Sequence, residues 1–381
     1  QGIATTIIEA SKQVLAPLDP EMAAYVHDEL IANGVRLELA ASVNSVTAEA
    51  VILSNGQSIP AEIVIAAIGV RPEVTLASRA GLTIGARGGI KVNHFNQTSA
   101  PDIYAIGDAA EKLDAIDGSS VLVPLANIAN RHGRVVADHI CGREIRPVKT
   151  IGTAIVKVFN LAIAVTGWNE KKLAQAGKRA RSVHTHPNSH AGYYPEAKPM
   201  TLKLIFDPET GEIFGAQGIG SEGVDKRIDV IATAMRGEIK AQELADLELA
   251  YAPPFGSAKD PVNMLGFIAE NLMSGLIEAA QWNEVESYLE RNYLLLDVRT
   301  EQEYQAGTIP GALNIPVDEL RDRSKEISSA KVLVFCQVGQ RGHTATLLMK
   351  EMGFDAINLD GGYQLWNKVT KELGNVFTSN V

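Results

Sequence analysis

Cys336 is the residue of this sequence that is best placed for nucleophilic chemistry. It follows an apolar run, Val332–Phe335, and precedes a helix that the pattern predicts to begin near His343. Backbone N–H groups that converge in such a loop, with the positive end of a helix dipole, lower the pKa of a thiol and bind anions. The same groups would stabilise a persulfide. The loop therefore predicts a sulfur-carrying cysteine, and simple packing after a buried strand is the alternative.

The residues after Cys336 favour a reactive cysteine over one that only packs. The predicted anion cradle consists of Gln337, Val338, Gly339, Gln340 and Gly342, with Arg341 five positions after the cysteine. Glycines permit a tight curl, and an arginine adds a permanent positive charge with a fork that suits oxyanions. We therefore predict Cys336 and Arg341 as catalytic residues.

The segment from Leu276 to Leu373 resembles a rhodanese (sulfurtransferase) domain. Its hallmarks are Leu296–Arg299, Glu303-Tyr304, Gly307–Pro316 and Leu359–Tyr363. The resemblance implies that Cys336 carries sulfane sulfur. Phosphatases of similar topology also pair a cysteine with an arginine, but in a longer cradle, so the spacing here favours attack at sulfur. Local patterns predict a helix at Asn283–Arg291 and strands at Tyr293–Val298 and Val332–Phe335.

Two earlier segments each combine a short apolar strand with a glycine. Ile65–Pro72 contains Gly69, and Ile103–Ala110 contains Gly107 and Asp108. In this order they resemble the closing half of the FAD-dependent pyridine-nucleotide-disulfide oxidoreductases. The resemblance implies that Asp108 binds the ribityl chain of FAD. The stretch beside the isoalloxazine ring would then be Pro124, Leu125, Ala126 and Asn127.

The first strand, Thr5–Glu9, ends in an acid. By the same resemblance, Glu9 holds the adenosine ribose of NAD, and its charge favours NADH over NADPH. A glycine-rich phosphate loop should precede that acid by about 20 residues. Only eight residues precede it, so we expect the chain to begin in mid-domain. We therefore expect this polypeptide alone to bind no FAD.

The central region is predicted to be rich in strands. Leu202–Phe206 and Ile213–Gln217 flank a turn and predict a hairpin, after which Gly218–Gly223 matches G-x-G-x-x-G. No parallel strand with an acid follows, so close packing explains these glycines better than nucleotide binding. Other predicted elements are helices at Asp19–Ala32, Val135–Ile140, Val224–Met235, Gly237–Leu249 and Met264–Leu272, and strands at Val35–Leu39, Val51–Leu53 and Ile63–Ile68.

His184, His186 and His190 crowd one segment, and metal ligation is an alternative there, but no carboxylate or thiol lies at ligand spacing. This region resembles the dimerisation domain of CoA-disulfide and persulfide reductases. The resemblance implies a homodimer in which Tyr194 and Tyr251 reach the partner's active site near the substrate sulfur. The apolar helix Met264–Leu272 is expected to support the dimer. Basic residues for the phosphates of CoA would be Lys198, Arg227 and Lys259.

Composition excludes several classes. The chain has 381 residues and a net charge of −10, which argues against a nucleic-acid binder. The longest apolar run, Ile63–Val70, is far shorter than the roughly 18 residues of a membrane span. Two cysteines rule out a disulfide framework, and Cys141 is expected to be packing. We expect a cytoplasmic protein without metal.

The predicted fold is α/β and multidomain. Residues 1–70 and 71–149 would be parts of a doubly wound NAD/FAD-binding module, 150–273 an α+β dimerisation domain and 276–375 an α/β rhodanese domain. The predicted function is NADH- and FAD-dependent reduction of the S–S bonds of CoA-disulfide or a persulfide, coupled to sulfur handling by Cys336. One alternative is a flavin-free sulfurtransferase with a non-catalytic, dimerising N-terminal region. Another is a partner-binding scaffold with an inactive redox half.

Overall fold

The structure, a computed structural model, describes residues 2–147 and 149–378, which fall into two compact units. The first unit is Gln1–Thr47, Ile52–Ile59 and Ile155–Val381, and the second is Ala48–Val51 and Pro60–Ala154. The four domain boundaries predicted from the sequence stay a prediction.

The bounds of the elements are as follows. The strands are β1 (Thr5–Ile8), β2 (Val35–Glu38), β3 (Val43–Val46), β4 (Ala50–Leu53), β5 (Ser58–Pro60), β6 (Lys112–Leu113), β7 (Ser120–Val121), β8 (Ala154–Val158), β9 (Leu161–Gly167), β10 (Arg181–Thr185), β11 (Met200–Phe206), β12 (Ile213–Gly220), β13 (Ala279–Ala280), β14 (Leu294–Asp297), β15 (Leu313–Asn314), β16 (Lys331–Phe335) and β17 (Asp355–Leu359). The α-helices are α1 (Pro20–Ala32), α2 (Thr75–Arg79), α3 (Ala126–Ile140), α4 (Glu170–Gln175), α5 (Val224–Arg236), α6 (Pro261–Met273), α7 (Val285–Glu290), α8 (Glu301–Gln305), α9 (Leu320–Arg323), α10 (Gln340–Glu351) and α11 (Gly362–Thr378).

The C-terminal part of the first unit is built on a five-stranded sheet in the order β13-β17-β16-β14-β15, and its recorded pairings are parallel. Parallel strands buried on both faces read as continuous apolar runs, as β16 does with Val332–Phe335. The carboxyl ends of parallel strands meet at one edge of the sheet. That edge therefore brings together Asp297 from β14, Cys336 after β16 and Asp360 after β17.

The central part of the first unit is a five-stranded sheet in the order β10-β11-β12-β9-β8, with α5 and α6 in its core. The predicted hairpin is confirmed, because β11 pairs antiparallel with β12. The packing interpretation of the glycine motif is also confirmed. A Cβ on Gly218 would lie 2.9 Å from side-chain atoms of Leu202 and Val224, so only glycine permits this approach of strand and helix.

Helix α1 packs against this sheet. Asp19 is its N-cap and Pro20 its first residue, as the sequence predicts, and Met22 and Val26 share a core with Ile163 and Ile219. Another side of α1 faces α11. There Lys368 pairs with Asp28, and its ammonium lies 5.0 Å from the ring centre of Tyr25. Helix α1 thus contacts both the central sheet and the last helix of the chain.

Two predicted strands of the glycine-containing segments are wrong. Ile63–Ile68 forms no strand, and its apolar side chains are largely exposed, with Ile68 96% exposed. Ile103–Ile106 is reduced to a single bridge at Tyr104. Apolar composition predicts a strand locally, but a strand exists only where a neighbour pairs with it, and no described strand pairs with Ile63–Ile68.

Further corrections concern helices. The helix predicted at Gly237–Leu249 is only a 3₁₀ turn, Gln242–Asp246, because Gly237 ends α5 and Glu238 has a left-handed φ of 60°. Cys141 is exposed and does not pack in a core, since it caps the end of α3, a helix that starts nine residues earlier than expected. In α6, Val262, Leu265 and Ala269 are buried in the core of the central sheet, whereas Phe267 is 37% exposed, so the expected support of a dimer by this helix stays a prediction.

None of the helices in the described ranges combines the length and the apolar character that crossing a membrane would require.

Candidate functional site

Cys336 lies where β16 ends and the chain turns into α10. The residue is fully buried, and its Sγ accepts a hydrogen bond from the N–H of Gly339 at 3.2 Å. Gly339 is the N-cap of α10 and has a left-handed φ of 98°, a conformation that glycine adopts without strain. The sulfur thus meets a backbone N–H at the start of a twelve-residue helix, where negative charge is stabilised.

The rest of the predicted cradle is contiguous with Cys336. Gln337 and Val338 are half-buried, and Gln340 is the exposed first residue of α10. Gly342 is buried, and a Cβ at this position would collide with the side chain of Asn358 on β17. The loop therefore curls tightly against the neighbouring strand, for which it needs this glycine.

Arg341 does not present an open guanidinium fork, contrary to the expectation from the sequence. Both ends of the fork bind the carboxylate of Glu303, at 2.8 and 2.7 Å. These hydrogen bonds are the largest of the effects that lower the pKa of Glu303 to about 2. Glu303 raises the pKa of Arg341, and Cys336 adds a smaller contribution in the same direction. Arg341 is thus fixed beside the thiol by a carboxylate partner.

A buried ion pair supports the other side of the loop. Asp297 and Arg299 are almost inaccessible, and their shortest N–O separation is 2.7 Å. Thr308 donates a further hydrogen bond to Asp297, and Arg299 donates to the side-chain oxygen of Gln337 at 3.0 Å. The first residue after the cysteine is therefore tied to the end of β14.

The predicted nucleotide residues belong to different units. In the first unit, Glu9 follows β1, and its Oε1 accepts hydrogen bonds from the N–H and hydroxyl of Ser11 at 2.7 and 2.8 Å. The bond from the Ser11 N–H is the main reason that the pKa of Glu9 is lowered, so the carboxylate is ionised. An ionised carboxylate at the end of a strand suits the hydroxyls of a ribose.

In the second unit, Gly107 and Asp108 lie in a 3₁₀ turn, and the Asp108 side chain is exposed. Lys112 donates to the carbonyls of Gly107 and Ala110 at 2.6 and 2.9 Å, which fixes the turn. Burial lowers the pKa of this lysine. The exposed carboxylate is thus held on a rigid turn.

The remaining flavin residues of the prediction also lie in the second unit. Pro124 is exposed, Leu125 is the N-cap of α3, and Ala126 is its first residue. Gly69 is exposed and has a φ of 92°. The predicted stretch therefore leads directly into a helix N-terminus of the same unit as Asp108.

The structure joins Tyr251 to Tyr193, a residue that the sequence does not single out. Their hydroxyl oxygens lie 3.0 Å apart, and both side chains are exposed. This hydrogen bond is the first cause of the raised pKa of Tyr251. Tyr194, which was predicted, instead packs edge-on against His190, with ring centres 5.7 Å apart.

Comparison with protein families matches three parts of the chain. Residues 1–133 match the pyridine nucleotide-disulphide oxidoreductase family, 153–261 match the dimerisation domain of that family, and 281–369 match the rhodanese-like domain. Among curated proteins, an NADH oxidase of Methanocaldococcus jannaschii is 35% identical over 69% of this chain, and 59% of its own length is covered. A coenzyme A disulfide reductase of Staphylococcus haemolyticus is 32% identical over 71% of this chain and 62% of its own. The chain thus spans about three fifths of the length of these relatives.

Two solved structures match nearly the whole chain. Reduced Bacillus anthracis CoADR-RHD is 46% identical with a TM-score of 0.95, and the alignment covers 97% of this chain and 67% of that one. A NAD-dependent persulfide reductase from A. fulgidus is 36% identical with a TM-score of 0.88, covering 96% and 68%. The chain belongs to the pyridine nucleotide-disulphide oxidoreductase family and carries a rhodanese-like domain. The expected fold class is confirmed.

FAD and NAD(H) are the cofactors of this oxidoreductase family, as the sequence predicts. The described residues fit these groups. Asp108 offers an exposed carboxylate on a fixed turn, which suits the hydroxyls of a ribityl chain, and Glu9 offers an ionised carboxylate at a strand end. The positions of the individual cofactor residues stay predictions.

Arg227 is one of three basic residues predicted to contact the phosphates of CoA, and for Arg227 the prediction is wrong. Its side chain is buried and pairs with Asp260 at 2.9 Å, and it also donates to the carbonyl of Ser189. A buried, paired guanidinium cannot bind a phosphate. Lys198 and Lys259 are exposed, so they remain predictions.

Proposed function

We propose that this protein takes part in the NADH- and FAD-dependent reduction of the S–S bond of CoA-disulfide or a CoA persulfide, and that Cys336 carries the sulfane sulfur. The observation that carries the proposal is the Cys336 loop, in which a backbone N–H meets the sulfur at a helix N-terminus. Similarity over nearly all of the chain to a CoADR-RHD protein and to a persulfide reductase supports the combination of the two activities.

The Cys336 loop suits the transfer of sulfur between anions. With thiosulfate, the thiolate attacks the outer sulfur, the bond to the sulfonate sulfur breaks, and sulfite leaves with the electron pair. The product is a persulfide on Cys336, whose charge the Gly339 N–H and the α10 N-terminus stabilise. Arg341, held by Glu303, adds a fixed positive charge beside it.

The reductive half requires the nucleotide residues. In sum, CoA persulfide, NADH and a proton give CoA thiol, hydrogen sulfide and NAD⁺. FAD, when bound, supplies the two-electron relay between NADH and the S–S bond. Glu9 would bind the adenosine ribose, Asp108 the ribityl hydroxyls, and Pro124–Ala126 the region of the flavin ring.

We further propose a homodimer, which the match to a dimerisation domain supports. The exposed Tyr193–Tyr251 pair supports a substrate site that is completed by this domain, because two phenol hydroxyls can orient a sulfur leaving group. Tyr194 stays a weaker choice, since its ring is engaged with His190.

A flavin-free sulfurtransferase is the second candidate. The observation that favours it is that the groups in contact with the Cys336 loop through Arg299, Gly339 and Arg341 all lie within residues 281–369, the rhodanese-like part of the chain, and include none of the predicted nucleotide residues.

One experiment separates these functions. Thiocyanate formation from thiosulfate and cyanide is measured for the wild type, for Cys336→Ser and for Cys141→Ser, the matched control at the exposed cysteine. The proposal expects loss of transfer only in Cys336→Ser, and full transfer in that variant would refute the nucleophile. NADH oxidation with CoA persulfide is then measured with added FAD, and the flavin absorbance of the protein is recorded in the same experiment. Transfer without NADH oxidation would favour the second candidate.

A further inference from the structure

A chain of buried charges connects the central sheet with the rhodanese-like domain. On β10, the backbone N–H of His184 donates to Oδ1 of Asp360 at 3.1 Å, and the ring Nδ1 lies 2.6 Å from Oδ2. The other ring nitrogen of His184 lies 3.3 Å from Oε1 of Glu21 on α1. Lys203 on β11 pairs with Glu21 and, at 2.8 Å, with Asp19. All five side chains are at most 5% exposed.

Asp360 begins the turn on which the reactive loop rests. The N–H of Tyr363 donates to the carbonyl of Cys336 at 2.8 Å, and the next N–H donates to the carbonyl of Gln337 at 2.9 Å. A Cβ on Gly362 would lie 2.5 Å from the carbonyl oxygen of Cys336, so the turn and the loop are in close contact. A displacement of the turn would therefore reorient the two peptide groups with which the cradle begins.

Two of the three clustered histidines have protein partners in this arrangement. His184 already has Asp360 and Glu21 as partners, and His186 Nδ1 lies 3.0 Å from the hydroxyl of Thr201. The one metal-like grouping in the described ranges consists of three carboxylates, from Asp19, Glu21 and Glu170. The ammonium of Lys203 pairs with all three, so a cation is already in place.

We propose that His184 is a positioning residue for the sulfur transfer at Cys336: through Asp360 it holds the turn that seats the cradle. The inference rests on the proposed function, because it assigns a role relative to that nucleophile. Two hydrogen bonds from one residue to both carboxylate oxygens fix the distance and also the orientation of Asp360. A strand of the dimerisation domain thereby sets the geometry of the rhodanese-like site.

The charge of His184 makes the clamp dependent on pH. Burial would lower its pKa, but the charge of Asp360 and the hydrogen bonds with Asp360 and Glu21 outweigh burial and raise the pKa to about 9. The groups that face the ring are Asp360 from the turn after β17, Glu21 from α1, Lys203 from β11 and His186, which directly follows β10. Burial lowers the pKa of His186 to about 4, so between about pH 4 and pH 9 this neighbour is neutral while His184 is charged.

The test compares His184→Ala, His184→Asn and a control, Lys368→Ala, in the full chain. Lys368 pairs with Asp28 in the contact between α11 and α1, away from the turn. We measure kcat/KM for transfer from thiosulfate to cyanide across pH, with thermal unfolding of each variant. His184→Ala should lose about 10- to 100-fold, as removal of a residue that orients a reactive group typically does. Lys368→Ala should stay within about 2-fold, because surface ion pairs contribute little.

The pH profile separates positioning from general stability. Wild-type transfer should fall as pH rises through about 9, where His184 loses its proton. His184→Asn keeps an N–H that can reach Asp360, so it should restore part of the activity without this falling limb. The inference is overturned if the folded wild type shows no such limb, or if His184→Ala and Lys368→Ala lose equally little. Retention of transfer in Cys336→Ser would instead refute the proposed function.

Discussion

The pH dependence of folding gives a quantitative test of the buried chain of charges. Burial alone would lower the pKa of His184, but Asp360 and Glu21 outweigh burial and raise this pKa from 6.5 to about 9. A raised folded-state pKa means that the folded state holds the proton more tightly than the unfolded state. The stabilisation is therefore fully present below about pH 6.5 and is lost as pH rises through about 9.

The magnitude follows from linkage. Each pKa unit corresponds to about 1.4 kcal/mol, and integration between about pH 7 and pH 10 gives a loss of roughly 2.5 kcal/mol from this group alone. A loss of this size is a large part of the 5–15 kcal/mol by which a folded domain is typically stable. A change of about 1 kcal/mol in the free energy of unfolding is already measurable.

Urea unfolding at several pH values provides the assay, with the fluorescence of Trp282 and Trp366 as probes near the rhodanese-like domain. His184→Gln removes the titration, so the wild-type loss of unfolding free energy minus the loss of the variant isolates this residue from other titrating groups. We expect the wild type to lose about 2 to 3 kcal/mol more than His184→Gln over that pH range. Equal losses in the two proteins would show that the imidazole is neutral in the folded state and would refute the reasoning.

Three further predictions test other parts of the structure. Gly362→Ala should destabilise the protein by about 1–3 kcal/mol and slow alkylation of Cys336, because Gly362 has a φ of 61° and a Cβ there would collide with the Cys336 loop. Unchanged urea unfolding and unchanged alkylation would contradict this close contact. Lys203→Met should cost about 3–5 kcal/mol in urea unfolding, because it strands buried carboxylates, and a variant as stable as the wild type would show that they are not ionised. Tyr193→Phe should lower NADH-dependent reduction of CoA-disulfide several-fold, measured with added FAD, because it removes the hydroxyl bonded to Tyr251. Thiosulfate transfer should stay unchanged and serves as the internal control. Unchanged reduction would exclude the tyrosine pair from the substrate site.

The reactive loop could be predicted from the sequence because its determinants are local. A buried strand, two glycines and a helix start lie within about a dozen residues of Cys336, and the structure has all of them, although α10 begins at Gln340, three residues before the predicted start near His343. The local sequence pattern does not predict the partner of Arg341. Glu303 lies 38 residues earlier and reaches the guanidinium only because α8 follows β14, the neighbour of β16 in the sheet.

The failures have equally physical causes. Ile63–Ile68 has the composition of a strand, but composition cannot supply the neighbour that a strand requires. The charge of Arg227 predicts a phosphate contact, but Asp260 neutralises that charge in the core. Tyr193 and Tyr194 are adjacent, so the sequence alone could not decide which ring points toward Tyr251. In each case the deciding interaction is made with a residue that is distant in the sequence.

The buried charges are better understood as a device for orientation than as a source of stability. Removing two ions from water costs several kcal/mol each, and well-packed apolar residues often give equal or greater stability in their place. Apolar packing, however, would not fix the rotation of a carboxylate, whereas His184 bonds both oxygens of Asp360. Because that carboxylate begins the turn that seats Cys336, the network is placed where orientation affects chemistry. A lysine inside the fully buried strand Met200–Phe206 is the sequence signal that such a network exists, since a buried ammonium requires acidic partners.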